Sequence, residues 1–177
     1  MTKVDTYEQL IVMDMYLDAT AGAAIDCDQF PTNFSERDRV GILIKEWGWQ
    51  PGYNSTWGGA VDTNGDTFAV QLSFTLLTAM IDPADLGWID GFYYQRNIVG
   101  AGAVSTLDEF PRTHDLRNFD NGGLIAHPAQ LFLSVSSADT LATAFYVQVM
   151  MWYTFFELTE DDYQELWQAQ ILRASLG

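Results

Sequence analysis

The sequence predicts an all-β fold, an antiparallel β-sandwich or barrel followed by a short C-terminal helix. Its dominant hydrophobic period is two residues, which is typical of half-buried strands. Long polar connections with Gly and Pro separate the strand segments, and the absence of alternating strands and helices argues against a nucleotide-binding α/β fold. Because 177 residues correspond to about one domain, we expect a single domain over residues 1–177.

Several segments carry the strand pattern. The clearest alternation follows Thr67, where large apolar residues occupy every second position and small or polar residues lie between them. Gly91 interrupts a later segment, and we expect a β-bulge there. The predicted strands are Val40–Trp49, Phe68–Leu76, Gly87–Val99 and Leu131–Val135, while Gln9–Leu17 fits a strand or a helix. The predicted connections are Ala19–Asp38, Pro51–Asp66 and Gly100–Asn121.

Ala144–Phe156 is the strongest strand segment, because apolar and aromatic residues occupy both of its faces. Its period of two and its aromatic and β-branched content argue against a membrane-spanning helix. A second covered face indicates contact with another subunit or with a loop folded over the strand. The residues predicted to form this contact are Tyr146, Gln148, Met150 and Trp152.

The helix prediction rests on a change of period after Thr159. Thr159 is the expected N-cap, and three acidic residues follow it where the helix dipole favours negative charge. Asp162 occupies the position at which a capping box prefers Glu or Gln. Tyr163, Leu166 and Trp167 then follow helical spacing, with Arg173 in the last turn.

Charge excludes some partners. The chain has 24 acidic and 8 basic residues and a net charge of −16, so clustered cations for phosphate binding are missing. We therefore expect no direct nucleic acid binding and no attraction to an anionic membrane surface. Lys3 and Lys45 are the only lysines, which indicates either a halophilic source or an ordinary acidic protein. The N-terminal sequence shows no signal-peptide pattern.

The sequence offers no recognisable catalytic constellation. There is no phosphate-binding glycine motif and no G-x-S-x-G, so we expect neither an enzyme nor a cofactor. His114 is expected in a loop ion-pair cluster with Arg112 and Arg117, and His127 at the start of a strand. A glycosidase-like pair of carboxylates stays open, because acidic residues are abundant.

The stretch V-D-T-N-G-D-T-F-A-V-Q-L raises the question of a calcium loop. Counted from Asp62, Thr67 stands where an EF-hand needs glycine and Ser73 where it needs glutamate. Asn64-Gly65 instead suits a type I′ hairpin turn. Asp62 and Asp66 remain weak candidates for a surface cation.

The lone cysteine, Cys27, lies in I-D-C-D-Q-F. Neighbouring aspartates raise the pKa of a thiol, which argues against an activated nucleophile. An unpaired cysteine is either a partly buried thiol or a candidate for a disulfide between subunits. Asn33 and Asn54 stand in glycosylation sequons within predicted loops.

A different class of function is a carbohydrate-binding β-sandwich similar to a lectin. Asp85 and Asp90 flank Trp88, a combination found in sugar-binding sites, although loop acids beside a core tryptophan give the same pattern. Four tryptophans in or beside predicted loops motivate this hypothesis: Trp47, Trp49, Trp57 and Trp88.

The strand A-T-A-F-Y-V-Q-V-M-M-W-Y-T-F-F and the acidic tail E-L-T-E-D-D-Y-Q-E-L-W resemble the final strand and end of a single jelly-roll viral capsid protein. The size and the acidic, lysine-poor composition are similar to the smaller major capsid protein of haloarchaeal, tailless icosahedral viruses with an internal membrane. The resemblance covers most of the chain in organisation and rests on no diagnostic motif.

This resemblance implies a structural subunit of the virion. In that family, two capsid proteins with upright single β-barrels build pseudo-hexameric capsomers around a lipid vesicle that holds double-stranded DNA. It therefore implies a jelly roll, oligomers of this chain, a second capsid protein and proximity to an internal viral membrane. No functional residues follow from it.

Overall fold

The computed structural model describes residues 2–3, 7–19, 22–31, 34, 38–52, 67–85, 87–95, 112–119, 121–138, 140–141 and 143–176. These residues form two antiparallel β-sheets, packed face to face, and one C-terminal helix. Sheet 1 is built around the two longest strands, and sheet 2 contains four strands.

Sheet 1 has four strand positions, and each outer position is shared by two strands. The order is β1 and β2 beside β10, then β4, then β7 and β8. Its strands are β1 (Thr2–Lys3), β2 (Gln9–Leu17), β4 (Val40–Pro51), β7 (Arg112–Asp115), β8 (Leu124–Ala126) and β10 (Phe145–Glu157).

Sheet 2 has the strand order β3, β9, β5, β6, again with antiparallel pairing throughout. Its strands are β3 (Ala24–Gln29), β5 (Thr67–Ser73), β6 (Trp88–Gln95) and β9 (Phe132–Ser137).

The path of the chain defines a jelly roll. From β2 onward the chain passes between the sheets repeatedly: β2 and β4 lie in sheet 1, β3 and β5 in sheet 2, and β9 and β10 again on opposite sheets. Eight strand positions in two sheets with this connectivity are the jelly-roll arrangement. The all-β jelly roll with a C-terminal helix is thus confirmed.

The core fills the space between the inner faces of the two sheets. Alternate residues of β10 point into it, so Phe145, Val147 and Val149 are almost fully buried. Trp47 and Trp49 of β4 are fully buried in the same layer. Edge-to-face ring contacts, such as that between Phe68 and Phe145 with centroids 5.1 Å apart, tie the sheets together.

Helix α1 (Glu160–Leu176) packs on the outer face of sheet 1. Thr159 caps it, because its Oγ1 accepts a hydrogen bond from the backbone N–H of Asp162 at 3.2 Å and donates to the Asp162 carboxylate at 2.8 Å. The Asp162 carboxylate thus pairs with the Thr159 hydroxyl, whereas a capping box would pair it with the backbone N–H of Thr159. Tyr163 and Leu166 contact Phe156, which fixes the helix against the end of β10.

Some local expectations were wrong. The predicted loop Ala19–Asp38 contains β3, and Gly100–Asn121 contains β7. His127 does not start a strand: it caps a 3₁₀-helix, Pro128–Gln130, by accepting a hydrogen bond from Ala129. The bulge of β6 falls between Trp88 and Asp90, opposite Leu72 and Ser73, rather than at Gly91.

The alternative of a membrane-spanning helix for the segment ending at Phe156 is not supported, because the segment is β10. Within the described ranges, none of the helices is long and apolar enough to cross a membrane.

Candidate subunit-contact face

The predicted contact strand, β10, lies in the middle of sheet 1 between β2 and β4. Its inner residues are buried, whereas Tyr146 is half exposed and Gln148, Met150 and Trp152 are partly exposed. The second face of the strand is therefore largely apolar and only partly covered.

Strand β2 extends this apolar face. Register places Tyr16 opposite Tyr146, Val12 opposite Met150 and Leu10 opposite Trp152. Leu10 and Val12 are about half exposed, at 52% and 48%. We call the following six residues the outer apolar strip: Leu10, Val12, Tyr16, Tyr146, Met150 and Trp152.

Side-chain hydrogen bonds connect three strands across the outer face of sheet 1. Gln50 of β4 donates to Oε1 of Gln148 at 2.9 Å, and Gln148 donates to the carboxylate of Asp14 on β2 at 3.0 Å. At the end of the strip, Tyr16 and Tyr146 make a tilted ring contact. A hydrogen bond with Asp18 raises the pKa of Tyr16, so its phenol stays protonated near neutral pH.

A charged network borders the strip where β4 bulges. Register passes from Trp152 opposite Glu46 to Tyr153 opposite Ile44, which leaves Lys45 as the extra residue. Lys45 binds Glu8 at 2.8 Å, and this hydrogen bond lowers the pKa of Glu8.

Arg117 joins the same network. Its guanidinium contacts Glu46 at 2.8 Å, Asp115 at 3.3 Å and Glu8 at 3.4 Å. The hydrogen bond with Glu46 raises the pKa of Arg117. These half-exposed pairs form a polar rim beside the strip.

Beyond the charged network, α1 covers the remaining outer face of sheet 1. Leu43, Ile125 and Phe156 pack beneath Tyr163 and Trp167 of the helix. One half of the outer face is therefore sealed by the chain itself, while the half that bears the outer apolar strip is exposed. An apolar patch with a polar rim is typical of a protein–protein contact surface.

The sequence identified the β10 half of the strip but missed the β2 half. Leu10, Val12 and Tyr16 alternate with Ile11, Met13 and Met15, so both faces of Gln9–Leu17 are apolar. With apolar residues on both faces, Gln9–Leu17 shows neither the alternation of a half-buried strand nor the spacing of a helix. The same double apolar pattern in Ala144–Phe156 predicted a strand.

Cys27 lies on β3, an edge strand of sheet 2, and so away from the outer apolar strip. Its Sγ accepts a hydrogen bond from the backbone N–H of Leu77 at 3.3 Å. Burial raises the pKa of the thiol, and the charges of Asp28 and Asp26 raise it further. A disulfide between subunits through Cys27 stays a prediction.

The weak cation candidates, Asp62 and Asp66, lie outside the described residues, as do the sequon residues Asn33 and Asn54. In the ranges that the structure does describe, no three His, Cys, Asp or Glu side chains are grouped to hold a metal ion.

Two tryptophans behind the carbohydrate hypothesis are unavailable to a sugar. Trp47 and Trp49 belong to β4 and have no exposed surface, while Trp57 lies outside the described residues. Asp85 and Asp90 also have local partners: Asp85 accepts from the backbone N–H of Asp82, and Asp90 accepts from the Trp47 indole.

His114 differs from its expected role. It lies within β7, and its Nδ1 contacts the Asp90 carboxylate at 2.7 Å. The ion pair expected beside it does form, between Asp115 and Arg117. His114 is instead an inward-facing residue whose ring stacks on Phe92, with centroids 4.0 Å apart.

The strand order and the two-sheet core define the chain as a jelly-roll protein. No family model and no curated protein sequence matches it. Among solved structures, it is similar to an unassembled VP1 pentamer of Washington University polyomavirus, with 11% identity, a TM-score of 0.48, and coverage of 88% of this chain and 98% of that chain.

Two further solved structures are similar to the same extent. VP1 of Trichodysplasia spinulosa-associated polyomavirus has 10% identity and a TM-score of 0.47, with coverage of 89% and 99% of the two chains. VP1 of Merkel cell polyomavirus in complex with disialyllactose has 9% identity, the same TM-score and the same coverage. These likenesses concern the fold, which the strand order establishes independently.

Proposed function

We propose that the protein is a non-enzymatic structural subunit of a viral capsid, located in the virion shell. One observation carries the proposal: the central strand of sheet 1 presents the outer apolar strip beside an otherwise complete jelly-roll core. A monomeric protein gains nothing from two half-exposed tyrosines and a row of Leu, Val, Met and Trp on one sheet. Burial against another subunit would remove this surface from water.

The contacts around the strip support a role in assembly. Its polar rim, built on Arg117 and Lys45, supplies hydrogen bonds and charges that set the register of a partner. The hydrogen bonds from Gln50 to Gln148 and from Gln148 to Asp14 connect three strands across this face. A surface whose side chains are already held in place needs little ordering when it binds, which favours affinity.

The finer proposal follows the resemblance of the sequence. The chain, 1–177, would form one jelly-roll domain that assembles with copies of itself and a second capsid protein into an icosahedral shell. The acidic, lysine-poor composition supports a halophilic source, and the resemblance implies a haloarchaeal virus with an internal membrane near the shell. The same charge argues against direct contact with the packaged DNA.

The proposal is tested on purified protein and on the material from which it comes. Sedimentation velocity at low and molar salt should show oligomers that grow with salt, because screening weakens repulsion between subunits of charge −16. Electron microscopy with mass spectrometry of the source material should find the chain in icosahedral particles with a second major protein. A stable monomer at every salt concentration, absent from any particle, refutes the proposal.

A carbohydrate-binding module is the competing proposal. Jelly rolls also occur in lectins, and Trp88 remains partly exposed at the start of β6. The burial of Trp47 and Trp49 weakens the carbohydrate-binding proposal, because neither ring can contact a sugar. A glycan array with the intact protein separates the two, because a capsid subunit without receptor function would bind none of the sugars.

A further inference from the structure

A cavity of about 590 Å³ opens between β6 and β7. These are edge strands of opposite sheets, so the cavity lies at the open side of the sandwich, away from the outer apolar strip. Its walls are mostly apolar, and the ring of Phe119 stands at the surface with 57% of its area exposed. The apolar and aromatic lining residues are Phe74, Trp88, Ile89, Leu116, Phe119 and Leu124.

A fixed polar pair lines the same cavity. Oδ2 of Asp90 accepts hydrogen bonds from the Trp47 indole at 2.8 Å and from Nδ1 of His114 at 2.7 Å. Oδ1 accepts the backbone N–H of Gly91 at 2.9 Å. Because the His114 ring also stacks on Phe92, its position and its tautomer are both set by the fold.

The second ring nitrogen of His114, Nε2, forms no hydrogen bond within the described part of the chain. The His114 side chain lines the cavity and is 41% exposed, which leaves Nε2 as the ring nitrogen for a ligand. With Nδ1–H donated to Asp90, a neutral His114 presents a lone pair at Nε2, and a protonated one presents N–H. A hydroxyl group pairs with Nε2 in either state, because it is both donor and acceptor.

Charge and shape select the rest of the ligand. The carboxylates of Asp90 and Asp115 line the cavity and repel an anion. Both already have donors, Asp115 from Arg117, so a cation gains little from them. Apolar cavities of about 150 Å³ bind one benzene ring, so a substituted ring fits here with room to spare.

We infer that this cavity is a binding site for small uncharged aromatic alcohols, with the ring among Phe74, Phe119 and Leu124 and the hydroxyl on Nε2 of His114. The site is separate from the outer apolar strip and does not depend on the proposed capsid function. It follows the general pattern of a mostly apolar pocket with one well-placed polar group.

Three para-substituted benzenes of the same size test the site: p-cresol, p-xylene and p-toluate. Binding to the intact protein is measured by saturation-transfer NMR and by titration of the His114 ring signals. We expect p-cresol to bind, p-xylene to bind about fivefold more weakly for lack of one hydrogen bond, and p-toluate not to bind. His114→Phe, which keeps a ring on Phe92, should lower the affinity for p-cresol to that for p-xylene.

Two further variants keep the test decisive. Leu124→Trp should fill the cavity and abolish binding of both neutral ligands. Phe119→Ala, at an exposed position, is the alternative test variant if Leu124→Trp does not fold. Tyr146→Ser on the outer apolar strip should leave binding unchanged. The inference is overturned if p-cresol does not bind, if p-toluate binds equally well, or if His114→Phe has no effect.

Discussion

Tyr16 of β2 and Tyr146 of β10 face each other on the outer side of sheet 1, with ring centroids 4.4 Å apart. Both rings remain substantially exposed, at 38% and 50%. The pair anchors one end of the outer apolar strip, whereas the opposite half of the same face is sealed by α1. Sheet 1 thus has an inner face that is buried in the core and an outer face that is only half covered.

The first prediction concerns assembly through the strip. Tyr146→Glu should abolish the oligomers seen in sedimentation, because it places a carboxylate within an apolar contact. The stability of the monomer should change by less than about 1 kcal/mol, since the side chain is half exposed. Leu76→Glu is the matched control: Leu76 is also exposed but lies in the β5–β6 loop of sheet 2. Equal oligomerisation of both variants would contradict the prediction.

The second prediction compares two buried tryptophans of β4. The indole of Trp47 donates to the Asp90 carboxylate and that of Trp49 to the Tyr94 hydroxyl. Trp47→Phe should cost more stability than Trp49→Phe by about 1 kcal/mol, because hydrogen bonds to charged groups are stronger. Denaturant unfolding of both variants provides the measurement. A larger loss for Trp49→Phe would show that packing of the ring outweighs the acceptor's charge.

The β-sandwich class and the long strands were largely predictable from the sequence, because β5 shows alternation and β4 and β10 are rich in aromatic and β-branched residues. The order of the strands within each sheet has no such local signal. The short strands β7 and β8 were not predictable. They are held as strands by their pairing with β4. With four residues in β7 and three in β8, neither segment is long enough to show a periodic pattern. The pairing of His114 with Asp90 joins residues 24 positions apart through the packing of two sheets, so no local pattern could reveal it.

Helix α1 gives the third prediction. Thr159→Ala should lower the free energy of unfolding by about 1 kcal/mol, because the N–H of Asp162 loses its acceptor. Thr159→Ser retains the hydroxyl and should lose little. Hydrogen exchange at Tyr163, whose backbone N–H bonds the carbonyl of Thr159, should speed up in the alanine variant alone. Unchanged exchange there would mean that packing against Phe156 fixes the first turn without the cap.

The fourth prediction concerns the β5–β6 connection over sheet 2. Gln71 is fully buried, and its amide pairs with the carbonyl of Ile81 at 2.7 Å and with its N–H at 3.4 Å. Gln71→Leu should leave both backbone groups without this partner and cost about 1–3 kcal/mol. Limited proteolysis should then cut near Ile81 before the rest of the chain. Tyr93→Phe removes the hydroxyl bond to the same carbonyl and the bond that the hydroxyl accepts from the Gln71 amide, but it leaves the pairing of Gln71 with Ile81 intact and should have a smaller effect.

The last prediction uses the thiol of Cys27. Burial raises its pKa in the folded protein, so the thiolate is disfavoured and alkylation by iodoacetamide near neutral pH should be slow until the protein unfolds. Because the folded state favours the protonated thiol, Cys27 contributes to the free energy of unfolding, and this contribution is fully present below the thiol pKa of the unfolded chain. It is lost as pH rises through the raised pKa of the folded state. Rates are compared for folded and denatured protein at neutral and alkaline pH, with Cys27→Ser as the blank.

The same reaction decides whether Cys27 links subunits. A disulfide between subunits would make assembled protein unreactive until a reductant is added, and a dimer band would appear on non-reducing gels. A buried, unlinked thiol would instead react slowly without reductant and give no such band. Fast alkylation of the folded protein at neutral pH would contradict both the disulfide and the buried thiol. It would require a thiolate, and the hydrogen bond from Leu77, which lowers the thiol pKa, is outweighed by burial, which raises it.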